Sequence, residues 1–504
     1  VESIALPQDA QNIRKLYYLC LVAILFLAVV LRLGDFTERW TGHGWQVRGA
    51  FYSIIARNYV EQGYLPLKLG PAMDAFPPEN GEWTFYFHQP PLFPLLLSVS
   101  FSLFGIAEWS ARLLPVVASL IELMLIWAIA CRLFGRRVGL VSAALTATVP
   151  VTAFYGSHVI HHGSVLMAFS SAAFLFHLKY LDRPSRQSFF GLLILLSCAA
   201  MTGWQGYFMG FAILLHGLWC RKGWEALWVF GTLAVLFLLY LLHIYWAAGS
   251  LSGGYGGSLA DIFARQAWGG IQDLGGLERI LSDITHKFFL VFTWPVMVLA
   301  IVGLAAVRRS KRPMALFALI VAGLLGHVVF LKAGMRYDYW CIAAAPALFV
   351  LAGAGSVLVA RAIPSKGVSA AILCGGVVVI AFFGSYQTHK RFEVIDNEYF
   401  YRLSCVLKEH TEPDELIGTC EHESSALLFY TRQRIIGLLR DEKLPPEGLP
   451  PSLAPMRRIV IPEKKAKPHD HDRILQLLRE KYPCQVVPSQ ECGNIHLFDV
   501  TRER

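Results

Sequence analysis

Long apolar runs separated by short, basic links set the pattern of this chain. The first run follows a polar start carrying Arg14 and Lys15, and further runs of spanning length begin near Leu113, Val138, Ser164, Phe189, Tyr207, Ala226, Phe288, Met314, Cys341 and Val368. About 20 apolar residues make an α-helix long enough to cross the hydrocarbon core. The pattern therefore predicts a polytopic α-helical membrane protein with about eleven spans. No small-residue cleavage site follows the first run, so it reads as an uncleaved span with its N-terminus in the cytoplasm. The run Leu92–Phe104 is too short to cross, and the segment 50–59 is amphipathic. Both predict interfacial helices within an unusually long first outer loop, residues 33–112.

Charge supports this topology. The links with Arg132, Arg136 and Arg137, with Lys179, Arg183 and Arg186, with Arg221 and Lys222, with Arg308, Arg309, Lys311 and Arg312, and with Arg361 and Lys366 alternate with less basic ones. Basic links belong in the cytoplasm. An odd number of spans then puts the first loop, the His161-His162 turn, the Trp204 turn, the loop 249–287, the turn 332–340 and the polar tail on the outer side. The chain divides into a membrane domain, residues 1–386, and a small extracytoplasmic α/β domain, residues 387–504. That second unit is read from strand-like runs at 415–419, 458–461, 485–487 and 494–498 and helix-like runs at 423–430 and 473–482, with a Pro-rich linker at 444–455. Cys484 and Cys492 flank a hairpin and are the favoured disulfide pair.

Composition agrees: 55% of residues are hydrophobic and 16% charged, which excludes an ordinary soluble domain. The net charge of +9 is carried largely by the links, so membrane lipids rather than nucleic acid account for it. The setting expected is a bacterial inner membrane. No internal repeat is visible, which argues against a transporter of duplicated halves.

The most specific run is His88-Gln89-Pro90-Pro91-Leu92. Paired prolines remove two amide donors and fix the backbone, so the preceding side chains can be presented rigidly to a ligand. The plainer reading is that they only break an interfacial helix. Together with Leu103-Phe104-Gly105-Ile106-Ala107-Glu108-Trp109-Ser110-Ala111-Arg112, with Arg132-Leu133-Phe134-Gly135-Arg136-Arg137, and with Arg336-Tyr337-Asp338-Tyr339-Trp340, this run resembles an ordered set found in one enzyme group. The group is the polyprenyl-phosphate-sugar-dependent glycosyltransferases of the C-type fold, among them protein O-mannosyltransferases and lipid A aminoarabinose transferases. The likeness covers roughly the first 350 residues. It implies transfer of a sugar from a polyprenyl-phosphate donor to a lipid, glycan or protein acceptor on the outer face, with inversion. A transporter or flippase of lipid-linked glycans is the alternative; it needs more charge deep within the spans than this chain carries.

Many members of that group carry an aspartate early in the first loop, assigned as catalytic base. Here the corresponding stretch is His43-Gly44-Trp45-Gln46-Val47-Arg48, without an acid. Asp35 is the first candidate base and His43 the second, with Glu38, Asp74 and His88 behind them. Asp35 reads equally as a membrane-boundary residue. Lys332 and Arg336 lie on the outer side, against the charge rule, and are candidates for a donor phosphate, with Arg57, His88, Gln89 and Arg112. Trp45, His161, His162, Trp204, Asp338 and Tyr339 are candidates for substrate contacts. Asp338 pairing with Arg336 as structure alone, and the aromatic residues as interface anchors, are the plainer readings. His88 and His162 could also hold a divalent metal.

Overall fold

A computed structural model describes residues 8–41, 46–75, 77–78, 80–267, 276–310, 312–392, 399–412, 415–419, 425–437, 456–462, 471–489 and 493–501. Its helices begin with α1 (Gln8–Arg32), α2 (Gln46–Gln62), α3 (Leu92–Phe104), α4 (Glu108–Phe134), α5 (Arg136–Thr148), α6 (Pro150–Ala153), α7 (Ser164–Asp182), α8 (Arg186–Thr202), α9 (Trp204–Trp219) and α10 (Gly223–Ala248). They continue with α11 (Leu259–Gln266), α12 (Gly276–Phe292), α13 (Trp294–Leu304), α14 (Pro313–Val329), α15 (Leu331–Arg336), α16 (Ala345–Arg361) and α17 (Lys366–Phe392). A 3-10 segment, Asp338–Ala344, joins α15 to α16.

Among the described residues, five segments are long and apolar enough to cross a bilayer: Arg14–Arg32, Glu108–Phe134, Ser164–Asp182, Gly223–Ala248 and Asp338–Arg361. The pair Glu278–Phe292 and Trp294–Leu304 passes together, bent by 102°. The bend falls where Thr293 adopts φ 68° and Pro295 withholds an amide from the next turn. Leu92–Phe104, Arg186–Thr202 and Pro313–Val329 are apolar but shorter. The run near Val138 forms α5, 13 residues long, which is about 20 Å. It is almost wholly buried between α4 and α16. Large side chains left exposed along the outer helices, such as Phe26, Leu242 and Phe382, suit contact with lipid. Inside, helices touch through small residues. A Cβ on Gly303 would lie 2.0 Å from the Leu351 carbonyl oxygen, so α13 and α16 approach closer than side chains allow.

The first loop is not a surface ribbon. Helix α3 has the bounds the apolar run predicts. Helix α2 differs from the amphipathic expectation: every residue from Tyr52 to Tyr59 is buried, so it has no lipid or water face there. Its partners explain this. One is α3; the other is a helix of the C-terminal region.

That region comprises α18 (Tyr399–His410), β1 (Leu416–Thr419), α19 (Ser425–Thr431), β2 (Arg434–Gly437), β3 (Arg458–Pro462), α20 (His471–Lys481), β4 (Cys484–Ser489) and β5 (Gly493–Asp499). The sheet order is β2-β1-β3-β5-β4. Strand β1 runs parallel to β2 and β3, and β5 runs antiparallel to β3 and β4. Four strands and two of the three helices, α19 and α20, answer to the runs read in the sequence; α18 and β2 were not anticipated. The 444–455 linker and Cys492 lie outside the described residues, and helix α17 continues past residue 386. Helix α19 packs on α2, and the Trp40 side chain forms the hub of that junction. Trp40 donates its backbone N–H to the Tyr430 hydroxyl at 2.6 Å, and that hydroxyl donates to Glu108 Oε1 at 2.6 Å. Gly49 has to lack a side chain because a Cβ there would stand 2.3 Å from the Trp40 ring.

Candidate active site

A cavity of about 440 Å³ opens where the first loop meets the ends of several spans. Arg48 reaches it from α2, Tyr86, His88 and Gln89 from the Pro-Pro segment, and His161 and His162 from the turn before α7. Trp204 enters from the start of α9, Tyr255 from the loop after α10, Phe263 from α11, and Arg336, Tyr337, Tyr339 and Trp340 from the bend between α15 and α16.

The Pro-Pro segment is held as its sequence suggests. Its upstream carbonyls are pinned one by one: Tyr255 N–H donates to Phe85 O at 2.8 Å, the Tyr240 hydroxyl to Phe87 O at 2.7 Å, and Trp204 Nε1 to His88 O at 2.8 Å. His88 Nε2 donates to the Tyr255 carbonyl at 2.9 Å, and its ring stands 4.4 Å from that of Tyr86. Gln89 meets His162 Nε2 at 3.4 Å, and His162 Nδ1 meets Gln205. His161 Nδ1 is bonded to the Tyr52 hydroxyl. The rings of His161 and His162 are 3.8 Å apart, and that of Trp340 lies 4.4 Å from His162.

Two guanidinium groups share one aromatic ring: Arg48 lies 4.5 Å and Arg336 5.5 Å from the centre of Tyr337. Burial disfavours the charged imidazole, so the His162 pKa is pushed down to about 3 and that of His161 well below the usual value; Arg48 adds repulsion to both. His88 shifts the same way for the same reason. All three rings are therefore neutral at pH 7, and the fixed charge at the cavity is cationic.

The sequence candidates divide accordingly. His88, Gln89, His161, His162, Trp204, Arg336 and Tyr339 line the cavity. Asp35 and Arg112 form a buried cluster beside it: Asp35 Oδ2 lies 3.9 Å from Arg112 Nε, 3.8 Å from His158 Nε2 and 3.4 Å from Gln46 Nε2. Asp35 Oδ1 is buried without a hydrogen-bonding partner among the described residues. Arg112 also donates to the carbonyls of Phe36 and Glu38 and to Gln46, so it shapes the loop that carries Asp35. Arg57 is turned away, donating to Phe429 O and Ala75 O at the junction with α19. Lys332 and Asp338 do not line the cavity; Asp338 acts on Lys287 of α12. His43 and Trp45 lie outside the described residues.

Arg48, Gln205, Tyr255 and Tyr337 were missed. Arg48 had a usable signal: on the charge-based reading it is a cation of the outer loop, against the charge rule, as Arg336 is. As for a metal, no three His, Cys, Asp or Glu side chains gather to hold one among the described residues. The ring nitrogens of His162 are engaged by two glutamines, and His88 Nε2 by a carbonyl. A zinc site needs three or four protein ligands, which His88 and His162 alone do not supply.

Residues 88–246 match the family model described as dolichyl-phosphate-mannose-protein mannosyltransferase. The match starts at His88. No curated protein matches the sequence. The whole chain is similar to a solved structure of ArnT from Cupriavidus metallidurans bound to undecaprenyl phosphate, with a TM-score of 0.70 and 15% identity over 95% of this chain and 98% of that one. The chain has the fold of the C-type glycosyltransferases. It is similar, too, to the archaeal oligosaccharyltransferase AglB from Archaeoglobus fulgidus in complex with an inhibitory peptide and a dolichol-phosphate. There the TM-score is 0.55 and the identity 11%, over 94% of this chain and 74% of that one. In this C-type fold the cavity lies between the first loop and the span ends. The family-model match takes in His161, His162, Trp204 and Gln205 but leaves out Asp35, Arg48 and Arg336.

Proposed function

We propose that the chain transfers a sugar from a polyprenyl-phosphate donor to a lipid, glycan or protein acceptor on the outer face of a bacterial inner membrane, with inversion at the anomeric carbon. Eleven crossings and an outward C-terminal unit belong to this reading. The observation that carries it is the cationic, aromatic-walled cavity in a C-type fold. Arg48 and Arg336, sharing the Tyr337 ring, supply two planar donor groups where a lipid phosphate would sit. The two similar structures described above were solved with undecaprenyl phosphate and dolichol-phosphate, which supports a lipid phosphate here.

In the reaction the acceptor oxygen bonds to the anomeric carbon as that carbon's bond to the phosphate oxygen breaks. The electron pair leaves with the phosphate, where the guanidinium groups stabilise it. The acceptor's proton must go to a base. Asp35 suits that role: Arg112, His158 and Gln46 gather at one carboxylate oxygen, while Oδ1 has no partner among the described residues. His43 is the second candidate. Removing a general base lowers rate by about 10²–10⁴-fold with little effect on donor binding. The expected result is that Asp35→Asn in the purified full chain keeps its affinity for polyprenyl phosphate and loses turnover of a polyprenyl-phosphate sugar. Near-normal turnover in Asp35→Asn with loss in His43→Gln moves the role to the histidine. Full turnover in both removes both from the chemistry.

A further inference from the structure

Beside the cavity, the turn between α6 and α7 sets a histidine against Asp35. His158 Nδ1 stands 2.7 Å from the Phe154 carbonyl oxygen. A carbonyl only accepts, so Nδ1 carries the ring hydrogen, and the neutral ring keeps its lone pair on Nε2. The Phe154 ring, centred 4.1 Å away, packs on the imidazole and holds it in that orientation. Nε2 in turn lies 3.8 Å from Asp35 Oδ2, and both side chains are 5% exposed. Two acceptor atoms this close in a buried site repel each other, and a single proton between them turns the contact into a charge-assisted bond. About 1 Å of movement brings the two atoms to hydrogen-bonding distance.

The neighbours favour placing that proton on the histidine. Arg112 Nε lies 3.9 Å and Gln46 Nε2 3.4 Å from the same Oδ2, and both are donors. A proton on the carboxylate would cancel the charge that Arg112 faces. A proton on Nε2 keeps that charge between two cations, with the imidazolium donating to Asp35 on one side and to Phe154 O on the other. Further titratable groups beside the turn are the Tyr155 phenol and Arg32 of α1, whose Nε lies 2.8 Å from where a Cβ on Gly156 would stand; Glu38 and Glu108 act on Arg112. Tyr155 ties the turn to the cavity wall, since its ring centre is 6.0 Å from His158 and 6.4 Å from the cavity-lining Tyr339. We infer that His158 is the positioning residue of the base: it takes over from Asp35 the proton that the acceptor gives up, so the pair rather than the carboxylate alone accepts it. The inference rests on Asp35 being the base. In the step, the acceptor O–H bond breaks as its oxygen bonds to the anomeric carbon. The electron pair of that carbon's bond to oxygen leaves with the phosphate, and the proton ends on Nε2. The new imidazolium charge balances the negative charge that the phosphate gains.

Two readouts on the full chain in lipid nanodiscs separate the pair from the base. The first is NMR of the histidine ring nitrogens across pH with no donor added, His158 being assigned by its loss in His158→Gln. A carboxylate within 4 Å favours the imidazolium, so Asp35→Asn should move the His158 titration midpoint about one pH unit or more lower. A midpoint that stays in place overturns the inference, whatever turnover does. The second readout is turnover of a polyprenyl-phosphate sugar. His158→Gln cannot hold the proton; its turnover should fall roughly ten- to thousandfold while bare polyprenyl phosphate binds as before. The acid-side fall of its rate should also move to lower pH, a change that loss of packing alone does not produce. Asp35→Asn combined with His158→Gln should be no slower than the slower single variant, because residues that act as a unit are not additive. Full turnover in His158→Gln, or an acid limb that it does not move, overturns the inference and leaves Asp35 as the sole base. A lowered midpoint with normal turnover in Asp35→Asn overturns the base reading, and the inference with it, while the two side chains remain electrostatically coupled. Should Asp35→Asn fail to bind polyprenyl phosphate, the His158→Gln arms decide alone.

Discussion

Single side chains decide what this cavity can hold, and most of them carry no obvious mark in the sequence. Asp35 and His88 drew attention as an acid near the membrane and a histidine before two prolines. Arg48 and Tyr337, which stand 4.5 Å apart, are ordinary letters until α2 and the bend after α15 are brought together. Two predictions belong at this scale. If Arg48 and Arg336 hold a phosphate, replacing either with alanine removes a charge-assisted bond worth about 1.5–3 kcal/mol, so polyprenyl phosphate should bind roughly ten- to hundredfold more weakly. Calorimetric titration that finds wild-type affinity in both variants would take these residues out of the site. The second concerns the buried histidines. Folding lowers the His162 pKa from 6.5 to about 3, so the folded state binds fewer protons than the unfolded chain. The stability contributed by the neutral ring is complete above pH 6.5 and is lost as the pH falls toward 3. Melting temperature should accordingly drop across that window, and drop less in His162→Gln. Equal pH slopes in the two proteins would show that His162 is not the group responsible.

At the level of elements, periodicity was informative wherever burial is one-sided or complete along a long run. Helix α3 has the expected bounds, and strands β1, β3, β4 and β5 fall on the strand-like runs. It failed where neighbours from far along the chain cover a second face. Segment 50–59 mixes apolar residues with Tyr52, Arg57 and Asn58, which reads as an interfacial helix. Its polar side chains are buried because α19 and the loop around Ala72–Ala75 supply their bonds, such as Arg57 to Phe429 O and Asn58 Nδ2 to Ala72 O. Strand β2 was missed because it offers only Ile435 and Ile436 as apolar residues, between an arginine and a glycine. The α2–α19 junction yields its own prediction. Tyr430→Phe removes the acceptor of the Trp40 N–H and a donor to Glu108, leaving buried groups short of bonds at about 1–3 kcal/mol. The melting temperature should fall by about 1–3 °C in scanning calorimetry. An unchanged value would mean that the hydroxyl is not needed to hold α19 on the first loop.

Across the whole molecule, the alternation of basic links gives the topology its only sequence-level warrant, because the bilayer leaves no trace in a chain except through hydrophobic length and charge. In a cysteine-free background, a cysteine placed at Arg432 should react with an impermeant reagent added from outside, and one at Arg309 should not. The reverse pattern would turn the proposed site to the cytoplasm. The membrane-domain cavity and the C-terminal unit also meet at one helix: α2 carries Arg48 toward the cavity and buries Arg57 against α19. That arrangement has a consequence for biosynthesis. About 360 residues separate the end of α2 from the start of α19, so at a typical translation rate the loop waits roughly 20–70 s for its back wall. During that interval Trp40, Arg57 and Glu108 lack the partners that later bury them. The nascent first loop is then a client for whatever shields polar segments during membrane insertion. Weakened variants of the junction should be noticed first as lost yield in the cell, before any purified enzyme shows lost turnover.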